Sequence, residues 1–565
     1  MRLSTDPDRD EAAAITTLEA ALEAGATVLD TAPSYAFGED DAHHNERLVA
    51  RVLAARVGPR PLVSTKGGLR REGRAWVVDG RARSIRASCE RSVEALGGPV
   101  DLYLLHAVDP KTPLATSVRA LAELERAGLV RAVGLSNVTV DQIEEARRHA
   151  DIRAVQIAAG AFDGAAFRGG VVRHCRAAGI DVYAHSPFGG PKRAPRLARD
   201  ELLSALAAEH DVSAYAIVVA WLAARGLVGL PGARRPDRAR AALAGVRLAL
   251  SPEALARLDE RFGVASPLPP ARAAGSASTG EVVIVMGIQA AGKSEHVRGY
   301  EARGYTRLNR DLLGGTLRGL AQRLDELAKA GSTRFVLDNT YTTRASRADV
   351  ISRARKHGLD VRCVHLDTPL EQAQINAVER LLGRYGRLPS PEELRTLQRT
   401  DPQAFAPTVL FRTRRELEAP SEEEGFAAVE RVPFERQPRA DRTRAAIVVE
   451  HRALAALSAN ALARLRDEAG AEISLVFGWA EGAEEDRLRA EWAEAAAAAA
   501  LPGPTIAICP HAAGPPICWC RPPLPGLIVP WLREEGIDAA RSLLVGTHPS
   551  HDAMARALGM RGVRA

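Results

Sequence analysis

The sequence predicts an α/β protein of three parallel-sheet domains: a (β/α)8 barrel over residues 1–262, a P-loop α/β domain over 281–436 and a further α/β domain over 442–565. Three observations carry this. Short β-like runs ("ATVLD", "PLVST", "VDLYLLH", "VRAVGLS", "RAVQI", "DVYAHS", "VGLPG") alternate with amphipathic helical stretches up to residue 262. Repeated βα units of that spacing make a parallel sheet, and about eight of them close into a barrel. "VIVMGIQAAGKSEHV" (283–297) then reads as buried strand, small-residue loop and helix start, and strand-like runs resume at "AAIVVE" (445–450).

The joints follow from composition. "GVASPLPPARAAGSASTGE", read as a linker over 263–280, is rich in Pro, Ala, Ser and Gly without periodicity, and "ERQPRADRTRA" (435–445) is a polar joint. A chain of 565 residues is too long for one core. No apolar run reaches the roughly 18 to 20 residues that span a bilayer, and "MRLSTDPDRDE" is no signal peptide, so no membrane association and a cytoplasmic location are expected. The net charge of +6 permits an anionic partner without requiring one. Of 76 basic residues only Lys66, Lys111, Lys192, Lys293, Lys329 and Lys356 are lysine. Each lysine is therefore informative, because arginine does not replace a compact ammonium or a movable proton.

In the first domain, Asp30 ends one strand with Tyr35 in the loop behind it, Lys66 ends the next, and His106 follows a third. Strand ends of a parallel barrel converge at one mouth, so these four groups are expected to meet there. A phenol beside an ammonium paired to a carboxylate is expected to have a lowered pKa and to pass a proton near neutral pH. This order resembles the aldo/keto reductases over nearly the whole domain. The resemblance implies that Tyr35 protonates a small carbonyl substrate while NADPH supplies hydride, with Asp30 and Lys66 tuning it and His106 orienting the carbonyl. It also implies that Ser136, Asn137 and Gln156 hold the nicotinamide carboxamide and that "HSPFGG", with Ser186, lies along the pyrophosphate. Arg234 and Arg235 would suit a 2′-phosphate. Two departures stand out: the family's first strand precedes the point where this chain starts, and its adenine-contacting Glu-Asn pair is Ala241-Ala242 here.

In the second domain "GIQAAGKS" fits G-x-x-x-x-G-K-[ST]. Gly287 and Gly292 let backbone N–H groups wrap the phosphates of ATP, Lys293 reaches the β/γ oxygens and Ser294 can ligate Mg²⁺. Asp311, in "NRD", stands just past a short strand, where a carboxylate can accept a hydroxyl proton. With "DNT" (338–340), "SRA" and "EQA" these pieces resemble the kinase module of polynucleotide kinase over about 281–385. The resemblance implies that Asp311 is the general base, that Arg318 holds the phosphate next to a 5′-hydroxyl, and that Asp338 lies near the metal–phosphate site. Arg380 or Arg384 would be the lid arginine. The domain holds 25 Lys+Arg against 22 Asp+Glu, a net of +3. That fits a narrow cleft for a single-stranded nucleic-acid 5′ end better than a broad basic surface.

The third domain resembles haloacid-dehalogenase-type phosphatases, whose chemistry needs an aspartate nucleophile two residues before an aspartate acid/base. Glu450 and Arg452 stand there instead, Gly478 falls at the hydroxyl position, Leu524 near the lysine position and Thr547 at a metal carboxylate. A pseudophosphatase is expected. Cys509, His511, Cys518 and Cys520 form C-x-H-x₆-C-x-C, a set suited to structural Zn²⁺. The expected activities are ATP-dependent phosphorylation of nucleic-acid 5′-hydroxyl ends and NADPH-dependent carbonyl reduction. A small-molecule kinase and an NADPH/ATP-binding sensor or scaffold stay open as alternatives.

Overall fold

A computed structural model describes residues 2–264, 280–436, 441–480, 485–512 and 518–565. Most of the linker read over 263–280 lies outside these residues. The chain divides into two compact units, residues 1–271 with 344–352, and 272–343 with 353–565. No single helix among the described residues is long and apolar enough to cross a membrane.

The first unit is built on seven parallel strands: β1 (Val28–Asp30), β2 (Leu62–Gly67), β5 (Leu102–Leu105), β6 (Val133–Ser136), β7 (Ile152–Ala158), β8 (Asp181–His185) and β9 (Leu227–Leu230). They hydrogen-bond in chain order, and among the described residues no ladder joins β9 back to β1. The described residues thus form the expected (β/α)8-type barrel as a nearly closed sheet of seven strands, in keeping with a family first strand that is not seen here. Arg2–Thr5 is a helical turn, and the helix Glu11–Glu23 packs beside Pro236–Leu243, with Arg240 donating to Glu23 at 2.8 Å. An unforeseen antiparallel hairpin, β3 (Leu69–Glu72) with β4 (Ala75–Val78), interrupts the βα rhythm behind β2.

The strands read as unbroken apolar runs because both faces are buried. In β5, Leu102 and Leu104 point inward to Ala154 and Tyr183, while Tyr103 and Leu105 join the larger cluster under the helices. Gly134 is needed where β6 crosses this interior, since a Cβ there would lie 2.3 Å from the Ala154 carbonyl and 2.6 Å from Leu104.

The second unit holds two five-stranded parallel sheets. One runs β11 (Thr306–Arg307), β12 (Arg334–Leu337), β10 (Glu281–Met286), β13 (Asp360–Asp367), β14 (Ala428–Pro433). The other runs β17 (Pro504–Cys509), β16 (Ile473–Trp479), β15 (Ala446–Glu450), β18 (Leu543–Gly546), β19 (Arg561–Arg564). One apolar cluster joins the sheets: Val283 and Val285 of the first belong with Val448 and Leu475 of the second, through Phe405 and Trp519.

Leu104 is fully buried inside the barrel. Leu104→Ala is expected to lower unfolding free energy by about 2 to 5 kcal/mol, read by urea titration of the full chain; a loss under about 1 kcal/mol would show that the interior is not packed this way.

Candidate active sites

The barrel mouth gathers the four predicted groups. Lys66 is fully buried and donates to both Asp30 oxygens, at 2.7 and 2.8 Å, and to the Thr31 carbonyl at 2.8 Å. Three ammonium protons thus meet three oxygens. The ammonium lies 4.9 Å from the Tyr35 ring centroid. The Tyr35 and His106 rings meet edge to face at 5.8 Å, and His106 Nδ1 is 3.5 Å from Ser34 Oγ.

The electrostatics correct one expectation. Burial raises the Tyr35 phenol above its ordinary value of 10.0, and Asp30 adds to this, against the lowering pull of Lys66. The carboxylate offsets the ammonium only in part, and desolvation outweighs what remains of its pull. His106 is held well below 6.5 by burial, then by Lys66 and His185, and is a neutral imidazole. Lys66 is raised above 10.5: the charge of Asp30, then that of Tyr35, overcomes its burial.

Around this centre Gln156 donates to Asp30 Oδ1 at 2.8 Å. Asn137, in the left-handed region at φ 57°, donates to Ser136 Oγ at 3.1 Å and to the His106 carbonyl at 3.3 Å. Its Oδ1 accepts from His185 Nε2 at 2.9 Å, and Ser186 sits 3.2 Å from His185 Nδ1. His185 and Trp76 were missed as site residues. His185 stood at a strand end, and that was its signal. Trp76 gave none, because the hairpin carrying it was not foreseen; its ring is half exposed and lies 6.5 Å from Tyr35 and 6.4 Å from His106. Arg234 pairs with Asp6 at 3.0 Å and Arg235 with Asp237 at 2.6 Å.

Comparison with known proteins agrees with this geometry. The aldo/keto reductase family model matches residues 1–261. An uncharacterized oxidoreductase of Schizosaccharomyces pombe is 31% identical over 259 residues, which are 45% of this chain and 81% of the relative. The chain belongs to the aldo/keto reductase family. An aldo-keto reductase of Gibberella moniliformis is 27% identical over 248 residues, 39% of this chain and 74% of the relative. Among solved structures, a thermostable aldo-keto reductase crystallised with the inhibitor epalrestat is 27% identical, with a TM-score of 0.39, over 46% of this chain and 90% of that one. Beyond the reductase barrel, a model described as an AAA domain matches residues 282–399.

In that P-loop domain the loop leaves the buried strand β10 through Gly287 (φ 150°) and enters the helix Lys293–Glu301 through Gly292 (φ 92°). A Cβ at Gly287 would meet the Leu366 carbonyl at 2.9 Å. Asn376 and Thr368 donate to the Ala290 and Ala291 carbonyls, at 2.9 and 3.3 Å, and fix the loop from outside. Lys293 donates to the Gly287 and Ile288 carbonyls at 2.9 and 2.6 Å. Burial, then Arg380, pushes its ammonium down to about 8, opposed by Asp338 and Asp311. Burial holds the Arg380 guanidinium below its ordinary value, and Asp401, then Asp311, pull it the other way. Arg384 pairs with Asp401 at 2.6 Å, which separates the two lid candidates.

"NRD" and "DNT" interlock. Asn309 accepts from the Asp311 and Leu312 amides and donates to the Asp338 carbonyl at 2.7 Å, and Asn339 accepts from the Arg310 amide at 3.0 Å. The Asp338 carboxylate is itself taken by Arg307, at 3.0 and 2.5 Å. It reaches the loop by charge rather than as an open ligand. Ser294 is exposed at the helix start, and Arg318 is exposed in the first turn of Leu317–Lys329.

At the end of β15 in the third sheet, Glu450 is buried and accepts from Thr547 Oγ1 at 2.8 Å, with His451 Nδ1 3.1 Å away. The His451 ring stacks on Trp492 at 4.4 Å. A Cβ at Gly478 would lie 2.4 Å from Trp492 and 2.5 Å from His451, so no side chain fits there. Nearby, the ligand atoms of Cys509, His511, Cys518 and Cys520 lie within 4.8 Å of one another. The 513–517 part of that loop is outside the described residues.

The Lys66–Asp30 pair yields a stability prediction. Lys66→Met leaves a buried carboxylate without its cation and is expected to cost about 3 to 5 kcal/mol. Asp30→Asn/Lys66→Met is expected to cost less than the two single changes added together. Additive losses in chemical denaturation would contradict the pairing.

Proposed function

We propose that the reductase barrel reduces a small carbonyl compound with NADPH. The observation that carries this is the buried Asp30–Lys66 pair beneath a protonated Tyr35, with neutral His106 alongside. NADPH, when bound, supplies the hydride, and Ser136, Asn137, Gln156, Ser186, Arg234 and Arg235 are the residues that would hold it. Tyr35 donates its phenolic proton to the carbonyl oxygen and recovers one from solvent, so proton and hydride balance. His106, neutral at physiological pH, orients the carbonyl oxygen by a hydrogen bond. A raised phenol pKa suits the reductive direction, because the donor stays protonated.

Tyr35→Phe is expected to lower kcat for NADPH-dependent aldehyde reduction by about 10² to 10⁴ with NADPH affinity unchanged. Wild-type kcat should hold through pH 9, since the phenol keeps its proton until above 10.0. Binding of NADPH without turnover would favour a sensor role.

For the P-loop domain the reading is ATP-dependent phosphorylation of a nucleic-acid 5′-hydroxyl. Its support is the P-loop Lys293, on whose ammonium the charges of Arg380, Asp338 and Asp311 all act, with Leu312 and Leu313 standing exposed beside Asp311. An apolar surface next to the accepting carboxylate favours an acceptor with a flat base over a bare sugar. ATP supplies the γ-phosphoryl group. Asp311 takes the hydroxyl proton, Lys293 and Arg380 neutralise charge that develops on the phosphoryl oxygens, and Ser294 would ligate Mg²⁺.

Labelled ATP with 5′-hydroxyl oligonucleotides is expected to give labelled ends, and Asp311→Asn to lose at least about 10² in rate. ATP affinity should fall as pH rises through about 8, because Lys293 loses its charge there, and should not do so in Lys293→Met. Label entering sugars equally well would instead mark a small-molecule kinase.

The third domain is read as a haloacid-dehalogenase-like relic that keeps a structural Zn²⁺. Cys509 Sγ lies 3.7 Å from Cys518 Sγ and 3.4 Å from Cys520 Sγ, and His511 Nδ1 is 3.2 and 3.5 Å from two of the thiols. Thiolates at about 2.3 Å from a tetrahedral zinc stand about 3.8 Å apart, whereas a disulfide needs about 2.05 Å. The donor set and its spacing fit the metal.

A further inference from the structure

We propose that Trp519 of the third domain positions Arg380 of the P-loop site, through Phe405; this rests on the reading of Arg380 as a phosphoryl-facing residue. Trp519 lies between Cys518 and Cys520, so two members of the Cys₃His set hold it on either side. It is 2% exposed, in a protein whose other phosphatase-like features have decayed. Its carbonyl accepts from the Gly526 amide at 3.0 Å, and a Cβ on Gly526 would come within 2.5 Å of that oxygen. The backbone is thereby clamped, and the indole has one direction to go.

That direction is out of its own sheet and into the P-loop domain. Trp519 Nε1 donates to the Phe405 carbonyl at 3.1 Å, and the two rings meet edge to face at 5.9 Å. On Phe405 rests the Arg380 guanidinium, 5.9 Å from the ring centroid. Arg380 in turn acts on Lys293 and feels Asp311. A guanidinium over an aromatic face is held by that face, and the segment carrying Phe405 is pinned from its other side: Asp401 accepts from Tyr385 at 2.6 Å and pairs with Arg384 on the Arg380 helix, Leu370–Tyr385. The Phe405 segment is thus fixed by the Arg380 helix on one side and by an indole on the other. The indole is the part supplied by the third domain. A module without phosphatase chemistry then has a physical task, which is to hold the partner of a charged side chain that must be in place as charge develops.

The test uses the full chain with Trp519→Phe, which keeps a ring and removes the N–H, alone and combined with Arg380→Gln. Zinc content by atomic emission and the KM for ATP are expected to stay at wild-type values. The kcat for phosphoryl transfer is expected to fall about tenfold, by loss of preorganisation, and this loss should vanish in the Arg380→Gln background, as for two groups acting as one unit. Hydrogen exchange should quicken in the 370–385 helix. An equal loss with and without Arg380, or exchange that changes only within 509–520, overturns the coupling. A wild-type chain that binds ATP but transfers no phosphate would remove the kinase reading alone; the exchange measurement still decides the coupling, in favour if 370–385 quickens and against if it does not.

Discussion

The reductase mouth depends on one buried ion pair. Lys66 has no exposed surface, and its three protons are matched by two oxygens of Asp30 and the Thr31 carbonyl. Burying an ammonium is costly unless its partners are complete, and here the partners come from the preceding strand and its loop. The pair therefore ties β1 to β2 at the point where Tyr35 must stand. Gln156, from the far side of the sheet, closes on the same carboxylate. An arginine could not make this arrangement, because its planar fork cannot direct three protons to one compact cage. In a chain with six lysines among 76 basic residues, that is why this position kept one.

The same pair explains why charge reasoning from sequence misjudged Tyr35. Proximity to a cation argues for an acidic phenol, and Lys66 does pull it down, but the cost of burying a phenolate is larger. Burial then dominates, and the phenol rises. The strand ends were legible because parallel barrels place them together, so Asp30, Lys66 and His106 needed only their positions in the apolar runs. Trp76 was not legible: it belongs to a hairpin whose "LRREGRAWVV" is too polar to read as β structure, and it is held by Arg71, 3.7 Å above its ring. The unpaired edges of β9 and β1 among the described residues were legible from the resemblance, which lacks its first strand here.

The P-loop site was legible in its loop and less so around it. Glycines at 287 and 292 and the lysine between loop and helix follow from the motif, because phosphates need free amides and one compact cation. Asp338 was the subtler residue. Its burial and its pairing with Arg307 depend on two side chains thirty-one residues apart in sequence, which no spacing argument reaches. The pairing of Arg384 with Asp401 was likewise a tertiary matter. In the third domain the Trp492–His451 stack that fills the space at Gly478 is a packing fact no spacing argument reaches.

The central claim is that burial raises the Tyr35 phenol against the lowering pull of Lys66. It is tested most directly by titrating Tyr35 with ¹³Cζ-labelled tyrosine in NMR, in the wild-type chain and in Lys66→Gln. The account places the wild-type phenol above 10.0 and moves it higher still in the variant, because the one strong lowering influence is gone. A wild-type phenol that titrates near neutral pH, or a variant whose phenol shifts downward, would contradict it.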